Sequence, residues 1–349
     1  MILFFGDTQL QADRPIHMDD WDLDKPSHDI VGEMCKTLYW IAEMIDKKNP
    51  DTVVFTGDLN EELGKLSLFS IYAIKQGMEM LIDDNRRYIF MLGNHDIKDP
   101  AGVCNSHILL PNKDNVQVVL PGQFVKVDDI LITSYTEDTD QYMSILNHQK
   151  WETVVMHMPI KGMQFTTGYT EDTGVDLTGK VFKDKVVISG HYHKPYIYTD
   201  WSPTLITVGA PMYHDFRDEW DSERGILLLK DSGEVEWAVN PYTSRYIKVS
   251  YPDEKAKLSL AEERAVGGLH VRAITEDIKR TKKILEKRNF ASLRVLPSKK
   301  IVETQRVKGM SIDTSFEEEI PMYVDRECPE ELDNDRLSAI GIQTVREAK

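Results

Sequence analysis

The 349 residues hold 42 Lys/Arg against 58 Asp/Glu, a formal net charge of −16, with 41% hydrophobic and 29% charged residues. That composition suits one large or two ordinary globular domains and excludes a disordered or collagenous chain, and no apolar run approaches the length of a membrane-spanning helix. The three cysteines, Cys35, Cys104 and Cys328, are odd in number and far apart, which argues against a disulfide framework or a zinc knuckle; with no basic, apolar leader, the expectation is a reducing, cytoplasmic setting.

In chain order, "ILFFGD" (2–7) is an apolar strand that stops at Gly6-Asp7. In 31–48, Met34, Leu38, Ile41, Ala42 and Ile45 recur at helical spacing. "TVVFTGD" (52–58) is a second strand, and 66–84 a second helix on Leu68, Ile71, Ile74, Met78 and Leu81. "YIFMLGNHD" (88–96) follows as a third strand. Strand–helix–strand repetition predicts parallel βαβ units. Two further continuous apolar runs, "TVVMHMP" (153–159) and "KVVISGHYH" (185–193), suit central strands covered on both faces. Between them, the Gly-, Thr- and aromatic-rich stretch 162–176 reads as a substrate-facing loop. "TLITVGAP", "GILLLKD" and "GEVEWAVN" are short runs expected to form a second sheet, giving a two-sheet sandwich flanked by helices. Beyond about residue 243 a strand, a second strand, a helix over 275–289 and a third strand ("ASLRVLPS") predict a small separate domain over 244–310, leaving 311–349 as an acidic tail.

Taken singly, the polar strand ends are unremarkable in chemistry: Gly-Asp is common turn sequence, and a lone histidine on an apolar run is most often a satisfied core residue. Taken together they are not. Asp7, Asp58, Asn94, His95, Asp96, His157, His191 and His193 all fall at or near the ends of strands that an α/β fold gathers along one edge. Carboxylates, an amide oxygen and imidazoles suit borderline and hard divalent ions, with Mn²⁺ favoured and Mg²⁺ or Fe admissible.

The order of these motifs, G-D-x-Q, G-D, G-N-H-D, H and G-H-x-H, resembles that of the calcineurin-like metallophosphoesterases over residues 1–193. The resemblance implies an α/β fold, a four-layer two-sheet sandwich, here with a small α+β capping domain, and two divalent ions about 3.5–4 Å apart. It implies Asp7, Gln9, Asp58 and His193 as ligands of one ion. Asp58, Asn94, His157 and His191 would hold the other, with Asp58 bridging. His95 would stand near the leaving group, oriented by Asp96. Members of the family usually have histidine two residues after the first aspartate; Gln9 stands there, and its amide oxygen predicts a weaker hold on the first ion. The stretch after the last motif, "VGAP" followed by an irregular loop and "ERGILLL", is similar to SbcD-type recombination nucleases, whose bacteriophage versions are close to this size.

The charge distribution agrees with a nucleic-acid substrate. Residues 246–310 carry 16 Lys/Arg against 8 Asp/Glu, whereas 311–349 carry 4 against 11. Lys279, Lys282, Lys283 and Lys287 lie largely on one side of the predicted helix and are candidate contacts to a DNA backbone, although a solvated face is the commoner meaning of such a run. The resemblance further implies an SbcC-type coiled-coil ATPase partner, with 330–349 as a candidate docking helix, and a homodimer formed through the helices after Asp58 and the stretch 102–110. Two other readings stand beside the DNA nuclease: a stand-alone phosphodiesterase for small nucleotides, favoured by the acidic body, and a DNA-end-binding scaffold with a weakened site, favoured only by Gln9.

Overall fold

The computed structural model describes residues 1–298 except 26, 28, 62–65, 165–169, 200, 201, 217, 219–221, 266 and 267. Four short strands run parallel: β1 (Ile2–Phe5), β2 (Thr52–Phe55), β3 (Arg87–Met91) and β4 (Val116–Val119). β11 (Gly225–Leu229) joins them antiparallel to β1, and β12 (Val235–Val239) pairs with β11, giving the order β12-β11-β1-β2-β3-β4. The second six-stranded sheet has the order β5-β6-β7-β8-β10-β9, from β5 (Phe124–Val127), β6 (Ile130–Thr133), β7 (Thr153–Met156), β8 (Val186–Ser189), β9 (Tyr196–Tyr198) and β10 (Thr204–Thr207).

The alternation of side chains along each strand makes the layers. Phe4, Val54 and Ile89 point inward against Ile132, Val155 and Ile188 of the facing sheet. Their neighbours Leu3, Phe5, Val53 and Phe55 point outward onto α1 (Ile30–Lys48) and α2 (Leu68–Leu81), where Leu38, Ile41 and Ile74 complete a second core. On the far side, Val154 and Met156 pack with Tyr142 and Leu146 of α3 (Thr139–His148). Each large apolar side chain buried in these layers stabilises the fold by about 1.5–3 kcal/mol relative to exposure. The helices start where their caps dictate: Asp29 accepts from the Gly32 amide at 3.0 Å, and Ser67 from the Ser70 amide at 3.0 Å. The result is the expected α/β sandwich of two sheets between helical layers.

Two expectations need correction. Of the three runs assigned to a second sheet, only "TLIT" (β10) belongs there; "GILLL" and "VEWAV" extend the first sheet beside β1. Which sheet an apolar run joins depends on a pairing more than 200 residues away (Ile2 with Leu229), which no local pattern encodes. The helix predicted over 275–289 is α5 (Ile278–Leu285). Asp277 accepts from the Arg280 amide at 2.9 Å and so starts the helix late, and Lys287 lies beyond its end.

The described residues separate into two compact units: Met1–Ala273 with Leu285–Arg294, and Ile274–Ile284 with 295–298. The first contains both large sheets, β13 (Arg245–Ser250) and α4 (Lys255–Arg264), which packs on β13 through Leu258 and Ala261. β14 (Leu269–Thr275) and β15 (Ser292–Pro297) form a three-stranded sheet with β13. Within the second unit, the Thr275 and Thr281 hydroxyls pair at 2.9 Å. The tail 311–349, with its suggested docking segment, lies outside the described residues.

Candidate metal centre

The first three parallel strands end together, and the chain leaves them in unusual backbone. Past β1 and β2 the two segments stay paired: the Asp7 amide donates to Gly57 O at 2.8 Å and the Gln9 amide to Asp58 O at 3.1 Å. Asp7, Gln9 and Asp58 all adopt left-handed φ (49°, 42° and 58°), as does His191 at 74°. Non-glycine residues in that region store strain of order 1–3 kcal/mol each, and such strain concentrates at functional sites. The glycines before the polar residues permit close approach. A Cβ on Gly57 (φ 100°) would stand 2.5 Å from His157 Nδ1 and 2.8 Å from the Gly93 amide nitrogen. A Cβ on Gly93 would stand 2.6 Å from the Asp58 nitrogen. The glycines of the G-D and G-N-H-D motifs thus let three loops converge on one point.

Four donor side chains meet there. Asn94 Oδ1 lies 3.0 Å from His191 Nδ1 and 3.3 Å from His157 Nε2, and that Nε2 lies 3.3 Å from Asp58 Oδ2. The other nitrogen of His157 is committed, donating to Thr56 O at 2.7 Å. A neutral His157 therefore turns a lone pair toward two oxygens, an arrangement that only a proton or a cation makes favourable. Asp58, His157 and His191 hold their ligand atoms within 4.8 Å of one another. A carboxylate, an amide oxygen and two imidazoles without a cysteine fit a hard or borderline divalent ion.

The neighbouring side holds Asp7, Gln9 and His193. Both Asp7 oxygens accept from the His191 amide, at 2.9 and 3.2 Å. Three residues that the motifs did not reveal support this side. His193 Nδ1 donates to Asp218 Oδ1 at 3.0 Å, the His214 amide donates to Asp218 Oδ2 at 3.0 Å, and His214 Nε2 donates to the Asp7 carbonyl at 2.9 Å. Buried Arg224 donates from Nη1 to the His193 carbonyl and stacks over Tyr213 at 4.6 Å. His193, His214 and Asp218 form a second group whose ligand atoms lie within 4.8 Å of one another. The available signal was the density of His, Asp and Arg in "YHDFRDEWDSER", directly after a strand of the same sheet.

The electrostatics follow from burial against pairing. Burial, reinforced by Asp58 and opposed by His157, pushes the Asp7 carboxyl up to about 6. For Asp58 burial acts the same way, but His157 and His95 hold it well below the usual carboxylate range. Burial disfavours a charged His157, yet the Asp58 and Asp7 charges raise it to about 9. His191, buried beside His157, falls to about 3. Burial opposes charge on His193 too, and Asp218 raises it; His214, buried against His193, drops to about 4. Acids and imidazoles thus share few protons in a small volume, and an ion bound among them must displace the one on His157.

His95 lines a cavity of about 290 Å³ together with Gln9, Asp58, His191 and His193. Its backbone amide donates to Asp58 Oδ1 at 3.0 Å, and its Nδ1 meets Glu61 O at 2.6 Å. The expected partner of that ring, Asp96, is engaged elsewhere. Fully buried, it accepts from the amides of Asp58, Leu59 and Gly93 at 2.7, 2.8 and 2.9 Å and from Ser106 Oγ at 2.6 Å. Asp96 therefore organises the backbone that carries Asp58 and not the His95 ring: a carboxylate facing a cluster of amide donors is best satisfied by them. Met163 and Gln164, from the stretch 162–176, also line the cavity, while 165–169 lie outside the described residues. Lys279, Lys282, Lys283 and Lys287 are exposed.

The sequence profile described as Calcineurin-like phosphoesterase matches residues 1–195. No curated protein matches the chain. One solved structure, titled only as a crystal structure, aligns over 68% of this chain and 98% of its own length at 11% identity and a TM-score of 0.41, too slight a likeness to carry any weight.

Proposed function

The chain belongs to the calcineurin-like phosphoesterase family, whose members are metal-dependent phosphoesterases, and from that premise we propose that it is a two-metal DNA nuclease, the nuclease subunit of an SbcCD-type end-processing complex. The observation that carries hydrolysis is the meeting of Asp58, Asn94, His157 and His191, whose facing electron pairs are favourable only around a proton or a cation. Those four would hold one ion. Asp7, Gln9, Asp58 and His193 would hold the other. Mn²⁺ fits this donor set, with Mg²⁺ and Fe as the other candidates.

When bound, such a pair of ions neutralises phosphoryl oxygens and supplies a water acidic enough to attack at neutral pH. The protein's own part is to hold and deliver protons. With Nδ1 donating to Glu61 O, His95 presents Nε2 to the cleft, where as an imidazolium it would give its Nε2 proton to the leaving oxygen. Asp96 and Ser106 keep the Asp58 backbone in its strained form throughout.

DNA as substrate is supported by the excess of Lys/Arg in 246–310 on an otherwise acidic chain, with Lys279, Lys282, Lys283 and Lys287 exposed. In this reading 244–310 acts as a basic capping domain and the acidic tail meets the coiled-coil ATPase. A second copy of the chain as partner is supported by apolar exposure after Asp58 and in the 102–110 stretch: Leu68 is 81%, Val103 78% and Ile108 84% exposed. No helix among the described residues is long and apolar enough to cross a membrane; host cytoplasm is the proposed setting. The small-nucleotide phosphodiesterase remains the second reading, favoured by the acidic body of the chain.

The deciding experiment is Mn²⁺-dependent degradation of end-labelled duplex DNA by the full chain, with a small chromogenic diester alongside. Cleavage of both, with only the DNA reaction lost when the basic lysines are changed to glutamine, supports the nuclease. Cleavage of the small diester alone supports the second reading.

A further inference from the structure

We infer that Asp218 is the positioning residue of the Asp7–His193 side: it fixes the His193 ring so that Nε2 is the nitrogen offered to a divalent ion. The inference rests on the two-metal reading above and adds a residue that none of the motifs contains. A carboxylate only accepts, so the 3.0 Å contact between Asp218 Oδ1 and His193 Nδ1 places the ring proton on Nδ1 and leaves the lone pair on Nε2. The centre uses the same device on its other side, where the Thr56 carbonyl holds His157 Nδ1. There the acceptor is backbone and comes with the sheet. Here it is a side chain and has to be supplied.

Asp218 is equipped for that task. It is 6% exposed, and its second oxygen is occupied by the His214 amide. The Arg224 guanidinium, 1% exposed, stands 4.0 Å from Oδ1 and keeps the carboxylate charged inside the protein. The same arginine donates to the His193 carbonyl, so ring and backbone of His193 are both gripped from one loop. His214, four residues before Asp218, donates to the carbonyl of Asp7. One loop therefore holds both strand-end residues on this side, Asp7 by its backbone and His193 by its imidazole. Carboxylate–histidine pairs of this kind orient metal ligands and raise their basicity, and losing the carboxylate costs about 10–100-fold in metal affinity.

The test is Mn²⁺ titration of the full chain by calorimetry, with metal stoichiometry and the electron paramagnetic resonance signal of paired Mn²⁺ as further readouts. Asp218→Asn and Asp218→Ala are expected to weaken one of two ions by about 10–100-fold and to abolish the paired signal. The second ion is bound as tightly as in the wild type, and Asp218→Glu restores part of the lost affinity. Two ions bound with unchanged affinity in both variants overturn the inference while leaving the two-metal reading intact. Equal weakening of both ions in Asp218→Asn, or no recovery in Asp218→Glu, makes Asp218 a structural residue and also overturns it. A wild-type chain that binds no divalent ion overturns the two-metal reading and this inference with it.

Discussion

The two sides of the candidate metal centre are built by different means. On the Asp58–His157 side, backbone does the holding: Thr56 O fixes His157, and the amides around Asp96 fix the Asp58 loop. On the Asp7–His193 side, side chains of the loop after β10 do the holding, through Asp218, His214 and Arg224. Burial does not divide them: each side pairs fully buried donors (Asp58 and His157, or Asp7) with half-buried ones (Asn94 and His191, or Gln9 and His193). A site half made by sheet geometry needs little beyond the fold itself. A half made by loop side chains is open to adjustment, and it is there that Gln9 replaces the usual histidine.

The largest effect comes from breaking both halves at once. Asp58→Ala removes the carboxylate proposed to bridge both ions; metal analysis should then find neither bound, with turnover at background. Retention of metal at the wild-type level would refute the bridging assignment. His95→Ala breaks neither half. Its ring sits at the cavity wall, anchored by Glu61 O, so turnover should fall by about 10²–10⁴-fold, the usual worth of a general acid, with both ions still bound. Loss of metal in that variant would make His95 a structural residue instead.

Acidity separates the halves more gently. His157 is raised to about 9 by Asp58, so at pH 7 an incoming ion must displace its proton. Affinity on that side should rise by about tenfold per pH unit between 7 and 9 and then level off, as calorimetry across pH would show. On the other side the Asp7 carboxyl, raised to about 6, adds a competing proton only in more acidic solution. The sign reverses for the metal-free chain. Because the folded value of His157 lies above the ordinary 6.5 of a histidine, its charged form contributes stability that is complete below pH 6.5 and lost as pH rises through about 9. In chelator, the heat-unfolding midpoint should fall across that window; a flat profile would remove the His157–Asp58 pair from the energetics.

How much of this was legible follows the same division. That Asp7, Asp58, Asn94, His157, His191 and His193 lie together could be read because the fold gathers strand ends along one edge, and strand ends are visible as apolar runs that stop at Gly-Asp or Gly-His. The role of Asp96 was misread because a side chain's partner is chosen in three dimensions: four donors surround it, and the neighbouring ring is not among them. Asp218 and His214 escaped because their loop has no periodicity and meets Asp7 and His193 only after the chain has crossed between sheets. The placement of β11 and β12 beside β1 escaped for the same reason, since their pairing spans most of the first unit.

The smallest change probes the adjustable half alone. Gln9 sits at φ 42°, a conformation that histidine tolerates better than most side chains, so Gln9→His should fold without penalty. Its side chain borders the cavity, and no hydrogen bond to it is found among the described residues, so nothing has to be broken to admit a ring. An imidazole is a stronger donor than an amide oxygen for a borderline ion. The variant should bind the ion on the Asp7 side about tenfold more tightly, a difference of about 1.4 kcal/mol, while the affinity on the Asp58 side is unchanged. Calorimetry with Mn²⁺ resolves the two steps. An unchanged pair of affinities would mean that residue 9 faces solvent in the loaded centre, and that the loop carrying Asp218 alone compensates for the missing histidine.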